Sequence, residues 1–414
     1  MPTRRSFLAG AALAPAALSA ATTPSPIAEL KSRRAEAQPI TVAERQARIV
    51  RAQQLMAENK IKAICLAGGT SLTYFSGIHW GNSERLFMMI IPARGDAFFV
   101  CPAFEEGRAR EQVDSGPAAG AQILTWQEDD SPYALATFGL KERGVITGTV
   151  GIEEHTPFVF ADSLARAAPS AHISLATAVT AGCRMIKSPA EMACLRLASS
   201  VTIQAYEAAW KSIHDGMTNR EFSELIGSAY EALGFPGYAS VQVDEYTALP
   251  HGSRQPQRMR EGSIVLIDDG CTVEGYQSDI SRTFVLGKPT DKMKRVFEIV
   301  HRAQSTALAA ARPGLACEAV DAAARKVIVD AGYGPGYKYF THRVGHGLGM
   351  DGHEWPYLVR GDKLPLAANM TFSDEPGIYI RGEFGVRLED DMHIMETGAE
   401  LLTKQSPSLE QPFG

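Results

Sequence analysis

The sequence has little of what several protein classes require. Its six cysteines include no C-x-x-C pair. Cys65 and Cys101 lie in apolar runs, so we expect buried free thiols, although an oxidising compartment would permit a disulfide. No later run reaches the ~20 apolar residues of a membrane-spanning helix, so we expect no membrane span. A net charge of -6 without a basic stripe argues against a nucleic-acid partner.

The N-terminus, MPTRRSFLAGAALAPAALSAATT, combines two arginines with a short alanine-rich run. Arg4 and Arg5 precede Phe7 and Leu8, and small residues follow up to Ala21. This arrangement resembles a twin-arginine export signal over residues 1–21. The alternative interpretation is a disordered, mildly basic tail. Such signals export folded proteins, which suits an enzyme that binds a metal before export. We therefore expect a periplasmic or secreted protein.

The next part of the chain divides into a linker and a first domain. Residues 22–40 are rich in alanine, proline and charge and are interpreted as a linker. Residues 41–182 alternate apolar strand-like runs with helix-like segments. That alternation predicts an α/β domain.

Residues 183–414 have a repeated order of elements. Capping boxes that begin at Ser188 and Thr218 predict a helix pair, and residues 291–332 predict a second pair, broken at Pro313. Strand-like sequence follows each pair. We therefore expect an internally duplicated α+β domain.

The stretch THRVGHGLGMDGHEWP holds three histidines. His342 and His346 would share a helix face, but glycines at 345, 347 and 349 would cost that helix about 3 kcal/mol relative to alanine. Extended backbone is expected instead, and it leaves His346 between two residues without side chains. His346 is therefore a candidate ligand. Arg343, where a zincin motif needs glutamate, excludes that motif.

Two predicted hairpins each place two carboxylates opposite one another. In SIVLIDDGCTVEGYQSDISRTF, a turn centred between Val273 and Glu274 would pair Asp268 with Asp279. In FSDEPGIYIRGEFGVRLEDDMHI, a turn centred on Gly382 would pair Glu375 with Glu389. Like charges that face each other across strands are destabilising, so we expect cations between them.

Four carboxylates and one imidazole suit two divalent ions. Oxygen-rich ligands favour manganese, with cobalt or zinc as alternatives, and the lack of thiolates argues against a structural zinc site. Two ions ~3.5 to 4 Å apart can hold a bridging hydroxide that is nucleophilic at neutral pH. The pattern therefore predicts metal-assisted hydrolysis.

Together the segments IDDGCTVEGYQSDISRTF, GHGLG, HE at 353, DEPGIY and GVRLEDD resemble the pita-bread metallopeptidases, namely prolidases (Xaa-Pro dipeptidases) and aminopeptidase P. The resemblance covers residues 184–404, and residues 41–180 resemble, less sharply, the creatinase-type N-terminal domain. It implies a duplicated pita-bread catalytic domain preceded by a creatinase-type α/β domain.

Carried over by position, the resemblance assigns the metal ligands. Asp268 becomes a terminal ligand of one ion, His346 and Glu375 become terminal ligands of the other, and Asp279 and Glu389 become bridges.

The resemblance also implies roles in catalysis. Glu375 would act as general base and pass its proton to the leaving nitrogen. His353 would stabilise the tetrahedral intermediate, His251 would line the substrate pocket, and His342 would support the site or merely pack. Arg387 would orient a ligating carboxylate.

Two residues depart from or extend the family pattern. Asp374 stands where many relatives have a small apolar residue, and strand alternation is expected to turn it away from the metals. Arg360 is a candidate to bind the free carboxylate of a dipeptide, although an unpaired surface arginine is the more ordinary interpretation.

The leading prediction is a dinuclear exopeptidase that cleaves the bond before proline, an Xaa-Pro dipeptidase. An Xaa-Pro aminopeptidase acting on longer peptides is the alternative, and a repurposed binding protein or lyase on the same scaffold remains open. Relatives form dimers, so we expect a homodimer. Trp80 would reach across the dimer or be an ordinary buried aromatic.

Overall fold

The computed structural model describes residues 25–414. The predicted export signal at residues 1–21 lies outside the described residues. Among the described residues, no helix has the length and apolar character needed to cross a bilayer.

The first domain is built on a six-stranded mixed sheet with the strand order β4-β3-β2-β1-β5-β6. Alternate residues of β1 supply two cores: Ile64 and Leu66 pack on one face, and Ala63 and Cys65 pack on the other. The predicted α/β alternation is confirmed. The elements are α1 Val42–Glu58, β1 Ile61–Leu66, α2 Thr70–Ser76, β2 Met88–Pro92, β3 Phe98–Pro102, α3 Glu106–Asp114, β4 Ile123–Trp126, α4 Pro132–Glu142, β5 Gly148–Ile152, α5 Phe158–Ala167, β6 Ala171–Leu175 and α6 Thr177–Arg184.

The second domain repeats one order of elements twice. In its first half, both predicted capping boxes form, at Ser188 and at Thr218, and the second helix ends at the left-handed Gly234. These helices pack on a three-stranded sheet with the order β11-β8-β7. The elements are α7 Pro189–Trp210, α8 Asn219–Leu233, β7 Ser240–Val243, β8 Ile264–Asp268, β9 Thr272–Val273, β10 Tyr276–Gln277 and β11 Arg282–Val285.

The second half places another helix pair against a five-stranded sheet with the order β13-β12-β14-β17-β18. The helix pair breaks at the predicted Pro313 region. The duplicated α+β domain is therefore confirmed. The elements are α9 Asp291–Ala310, α10 Cys317–Asp330, β12 Gly345–Gly347, β13 Glu354–Leu358, β14 Thr371–Asp374, β15 Gly377–Ile380, β16 Phe384–Arg387, β17 Asp390–Ile394 and β18 Ala399–Leu401.

The segment interpreted as a linker lies along the second domain. Ile27 and Leu30 pack against the core beneath α7 and α8. The backbone NH of Arg33 donates to the carbonyl of Leu233 at 2.9 Å, and its guanidinium donates to Ser200 at 2.9 Å. The described part of this segment, residues 25–40, therefore forms a strap on the second domain.

All six cysteines are buried and unpaired, as the apolar sequence around several of them predicts. Burial raises the pKa of the Cys65 thiol to about 12, which makes a reactive thiolate unfavourable.

Candidate metal centre and active site

The first hairpin differs from the predicted register by two residues. Val273 pairs with Tyr276, so the turn is Glu274-Gly275, and both turn residues have positive φ. Such two-residue turns favour residues that tolerate positive φ, and the predicted centre would have placed Val273 in the turn. The prediction that Asp268 lies directly opposite Asp279 was therefore wrong.

Asp268 instead lies opposite Ser281, because Ile267 pairs with Arg282 in the same ladder. A shift of two residues keeps each side chain on the same face of the hairpin. Asp268 and Asp279 consequently still reach one cavity.

The second hairpin has the predicted register. Gly377 pairs with Arg387 and Asp374 pairs with Asp390, on either side of Glu375 and Glu389. Glu375 and Glu389 therefore lie opposite each other, between the β15–β16 pair and the β14–β17 pair, as predicted.

His346 lies in the short strand β12, as the alternating glycines predict. A Cβ at Gly345 would come within 2.0 Å of the carbonyl oxygen of Ser373, and a Cβ at Gly347 within 2.4 Å of that of Glu354. Glycine is therefore required by close strand packing on both sides. The ring of His346 is buried, and its Nε2 lies 3.3 Å from Glu375 and 3.6 Å from Asp279.

The five predicted ligands form two overlapping groups. The ligand atoms of Asp268, Asp279 and Glu389 lie within 4.8 Å of one another, and so do those of His346, Glu375 and Glu389. Glu389 belongs to both groups, which is the position that a bridging carboxylate occupies.

Simultaneous ionisation of all the carboxylates in this cluster is unfavourable. Burial, followed by the charges of Asp268 and Glu375, raises the pKa of Asp279 well above its ordinary value. Burial and the charge of Asp279 do the same to Glu389. Burial opposes ionisation of Glu375 as well, but its hydrogen bond to His346 and the charge of His342 lower its pKa to about 2. Divalent cations would remove this repulsion.

Ser281 and Arg387 hold the cluster from behind. The Ser281 hydroxyl lies 2.5 Å from Asp268 and 2.6 Å from Glu389, and it accepts a hydrogen bond from the Arg387 Nε at 2.8 Å. Arg387 also forms an ion pair with Asp268 and lies 3.6 Å from Glu389. The contacts of Arg387 agree with its predicted orienting role, whereas Ser281 was not predicted.

Three further histidines line the same cavity. His353 stacks on His346 with ring centroids 3.7 Å apart, and desolvation together with the neighbouring His346 lowers its pKa to about 4. His342 lies 3.6 Å from Glu375 and 2.7 Å from the hydroxyl of Tyr379. His251 lines the cavity wall, and its side chain has no hydrogen bond or ion pair in the described structure. His342 thus lines the site and also packs against Phe340, and its supporting role stays a prediction.

Nine of the ten predicted site residues line this cavity of about 350 Å³, and Arg360 does not. Arg360 lies beside an adjacent cavity, with its guanidinium 5.5 Å from the Tyr337 ring. Arg343 occupies the wall instead: its guanidinium stacks 4.1 Å over Tyr357 and lies 3.3 Å from His353. No carboxylate of the described residues lies within 4.0 Å of Arg343.

Asp374 points away from the metal ligands, as alternation predicts. It is fully buried, and neither of its oxygens has a hydrogen-bond partner in the described structure. Burial raises the pKa of Asp374 well above its ordinary value, and the charge of Asp390 adds to this. Burial therefore disfavours a charge on this side chain.

Trp80 packs within its own domain. Its ring stacks on Phe87 at a centroid distance of 4.0 Å, and the guanidinium of Arg108 lies 4.3 Å above it. These contacts are those of a partly buried aromatic, and the reach of Trp80 across a dimer stays a prediction.

Comparison with known proteins supports the same architecture. The model of metallopeptidase family M24 matches residues 193–396, and that of the creatinase/prolidase N-terminal domain matches residues 48–186. The chain is 32% identical over 359 residues to an Xaa-Pro dipeptidase of Pyrococcus horikoshii, covering 86% of this chain and 96% of the relative.

Solved structures have the same fold. The dipeptidase PepE from Mycobacterium ulcerans superposes with a TM-score of 0.84 at 31% identity, covering 90% of this chain and 99% of that one. An X-Pro aminopeptidase from Thermotoga maritima gives a TM-score of 0.70 at 26% identity, covering 86% of this chain and 97% of that one.

The duplicated domain, the carboxylate and histidine cluster and these matches define a pita-bread metallopeptidase. The chain belongs to metallopeptidase family M24 and carries the creatinase/prolidase N-terminal domain. Its activity accordingly depends on divalent metal ions.

Proposed function

We propose that the protein is an Xaa-Pro dipeptidase that uses two divalent ions. The observation that carries the proposal is one cavity lined both by the five predicted ligands and by Arg343, a cation that has no carboxylate of the described residues within 4.0 Å. The names of the relatives support the same substrate class.

The donor set fits two divalent ions. Four carboxylates would balance four positive charges, and the overlap of the two ligand groups at Glu389 supports neighbouring ions. Manganese is the proposed metal, with cobalt or zinc as alternatives, because oxygen donors with one imidazole suit all three. When bound, the ions would supply an activated water nucleophile and polarise the scissile carbonyl.

Glu375 is the proposed general base. Its low pKa keeps it ionised, so an Oε atom can accept a proton from the attacking water and deliver it to the proline nitrogen as the bond breaks. His342 is hydrogen-bonded to the Tyr379 hydroxyl and lies 3.6 Å from Oε2 of Glu375. It thereby restrains rotation of the Glu375 carboxylate.

His353 is the proposed stabiliser of the oxyanion that forms on the carbonyl. Its lowered pKa keeps the ring neutral near pH 7, so one ring nitrogen carries a proton that it can donate as a hydrogen bond. His251 lines the same cavity and is the proposed contact for the bound peptide.

Arg343 is the proposed contact for the free carboxylate of a dipeptide, in place of Arg360. A guanidinium presents paired N–H donors to a carboxylate, and Arg343 faces the cavity that holds the metal ligands. Binding there would favour dipeptides over longer peptides, whose proline carbonyl continues into a neutral amide.

The test compares Ala-Pro, Ala-Pro-amide and Ala-Pro-Ala with the manganese-loaded protein. Cleavage of Ala-Pro far above the other two supports the dipeptidase. Release of alanine from Ala-Pro-Ala at a comparable rate would make it an aminopeptidase, and cleavage of none of them would contradict the proline-peptidase proposal.

Arg343→Ala should raise the KM for Ala-Pro by about ten- to a hundredfold, because a hydrogen bond to a charged group is worth roughly 1.5 to 3 kcal/mol. Arg360→Ala is the matched control and should change it by less than about twofold. If Arg360→Ala has the larger effect, the carboxylate binds at the neighbouring cavity instead.

Export and dimer formation remain proposals. Fractionation of cells that produce the full-length chain should recover it from the periplasm, and Lys in place of both Arg4 and Arg5 should retain it in the cytoplasm. Light scattering of the mature protein should give twice the chain mass. Recovery of the double variant from the periplasm would contradict the export proposal. A mass equal to one chain would contradict the dimer.

A further inference from the structure

The loop that carries His353 is fastened mainly by contacts from outside its own strand pair. Residues 348–353, which include His353, form the loop that joins β12 to β13. The NH of Gln277 donates to the carbonyl of Gly349 at 2.8 Å, and the Gln277 side-chain amide donates to the carbonyl of Met350 at 2.8 Å. The first hairpin therefore fixes the beginning of the loop.

The Asp351 carboxylate fixes the middle of the loop to the first domain. The hydroxyl of Thr70, at the start of α2, donates to Oδ1 at 2.6 Å, and Arg184, at the end of α6, donates to Oδ2 at 2.6 Å. Both oxygens of Asp351 are therefore used by residues from the other domain, two positions before His353.

Arg184 also secures the far end of the loop. Its guanidinium forms an ion pair with Glu354, the residue after His353, and Lys187 donates to the other Glu354 oxygen at 2.6 Å. Arg184 and Glu354 are buried. One arginine thus connects the residues on both sides of the Gly352-His353 pair.

Gly352 would otherwise allow the loop to move. It has no side chain, and His353 itself is exposed to the cavity and held by stacking on His346 and one contact to Arg343. Stacking permits the ring to slide, so the backbone position must come from the anchors at either end.

We propose that Asp351 is a positioning residue for His353, which it holds over the metal cluster by fastening the loop to Thr70 and Arg184 of the first domain. This inference rests on the proposed function, in which His353 stabilises the oxyanion. It gives the first domain a part in the reaction of the same chain.

The first test is a double-mutant cycle on Ala-Pro hydrolysis. Asp351→Ala should lower kcat by about ten- to a hundredfold with little change in KM, because a displacement of ~1 Å can cost a hundredfold in rate. Asp351→Asn, which keeps an acceptor for Thr70, should lose less. In a His353→Ala background, Asp351→Ala should have less than about a twofold effect.

Tyr276→Phe is the matched control. It removes a hydroxyl that accepts a hydrogen bond from Arg48 of the first domain and donates one to Glu191 of the second, and it leaves the Gln277 contacts to the loop in place. Its effect on kcat should be the same with and without His353. Equal effects of Asp351→Ala in the two backgrounds would show a merely structural role and overturn the proposal.

Hydrogen exchange provides a readout that does not depend on turnover. Asp351→Ala should speed amide exchange in a peptide covering residues 348–353, whereas Tyr276→Phe should not. Unchanged exchange would overturn the proposal even in an active enzyme. If the wild-type protein cleaves no Ala-Pro, the proposed function fails, and exchange alone decides whether Asp351 fastens the loop.

Discussion

At the scale of single residues, Ser281 shows how a neutral group can organise a charged site. Its hydroxyl contacts Asp268, Glu389 and Arg387 within 2.8 Å. A hydroxyl has one proton and two lone pairs, so Ser281 can donate to one carboxylate while it accepts from the guanidinium. It thereby sets the distance between two of the predicted metal ligands.

Ser281→Ala should weaken manganese binding by about ten- to a hundredfold, since partners that orient metal ligands typically have effects of this size. Ser406→Ala is the matched control, because Ser406 is equally buried and its hydroxyl has no partner in the described structure. Calorimetric titration with Mn²⁺ measures both. Equal affinities in the two variants would contradict the role of Ser281.

The cluster of four carboxylates and His346 was predicted from sequence, whereas Ser281 and Arg343 were not predicted. Acidic residues in facing strands carry a visible signal, because burial of like charges needs an explanation. The role of a serine depends on the register of the hairpin. The predicted register was wrong by two residues. Arg343 was treated only as a departure from the zincin motif, although its position beside His342 was a usable signal.

At the scale of elements, the first hairpin is decided by its turn. Glu274 has φ of 50° and Gly275 has φ of 89°, so the turn needs two residues in the left-handed region. Glycine adopts this region freely, but glutamate does so at a cost. The exact pairing therefore depends on a local backbone preference that hydrophobic alternation does not reveal.

Glu274→Asn should raise the free energy of unfolding by about 0.5 to 1 kcal/mol, because asparagine tolerates positive φ and is favoured in this type of turn. Glu274→Ala removes the same carboxylate without that preference and should not stabilise. Urea denaturation of the metal-free protein compares them. Stabilisation by alanine equal to that by asparagine would indicate that charge, and not the turn, is responsible.

The strap of residues 25–40 is a second element whose packing was not evident from its composition. Its alanine, proline and charge are typical of linkers, yet Ile27 and Leu30 contact the core beneath α7 and α8. Sparse apolar residues at irregular spacing give no periodic signal, so only the fold shows where they pack.

Leu30→Asp should lower the free energy of unfolding by about 1 to 3 kcal/mol, the usual range for an apolar side chain that leaves its contacts. Ala28→Asp adds the same single negative charge at an exposed position of the segment and serves as the control. Thermal unfolding followed by circular dichroism gives the answer. If both variants melt together, the segment behaves as a free linker.

At the scale of the whole molecule, the duplicated domain brings four acidic groups from two hairpins and a histidine from a third strand into one place. Burial and mutual repulsion raise the pKa values of Asp279 and Glu389 above their ordinary values in the metal-free protein. The folded chain therefore binds protons there that the unfolded chain releases. Stability from these groups is present at low pH and is lost as the pH rises.

The stabilisation by Mn²⁺ should therefore grow as the pH rises above the ordinary pKa range of carboxylates, because cations replace the protons that Asp279 and Glu389 lose. Glu375, with its pKa lowered to about 2, contributes in the opposite sense only at more acidic pH. The gap in Tm between manganese-loaded and EDTA-treated protein measures this trend. A gap that is constant or narrows with pH would contradict it.

The general architecture could be predicted from sequence because several independent signals agreed. Capping boxes marked two helices, glycine spacing marked β12, and the order of elements repeated along the chain. Contacts between the domains, such as Asp351 with Thr70 and Arg184, had no such signal, since they depend on how two folded units meet.

The measurement that tests the account most directly is the number of metal ions that Ala-Pro hydrolysis requires. Metal-free protein is titrated with Mn²⁺ while bound metal and proline release are measured together, for the wild-type chain and His346→Ala. We predict that wild-type activity reaches its maximum at two ions per chain, and that His346→Ala retains about one ion with little activity. Full activity without metal, or saturation at one ion in the wild-type chain, would contradict the two-ion site.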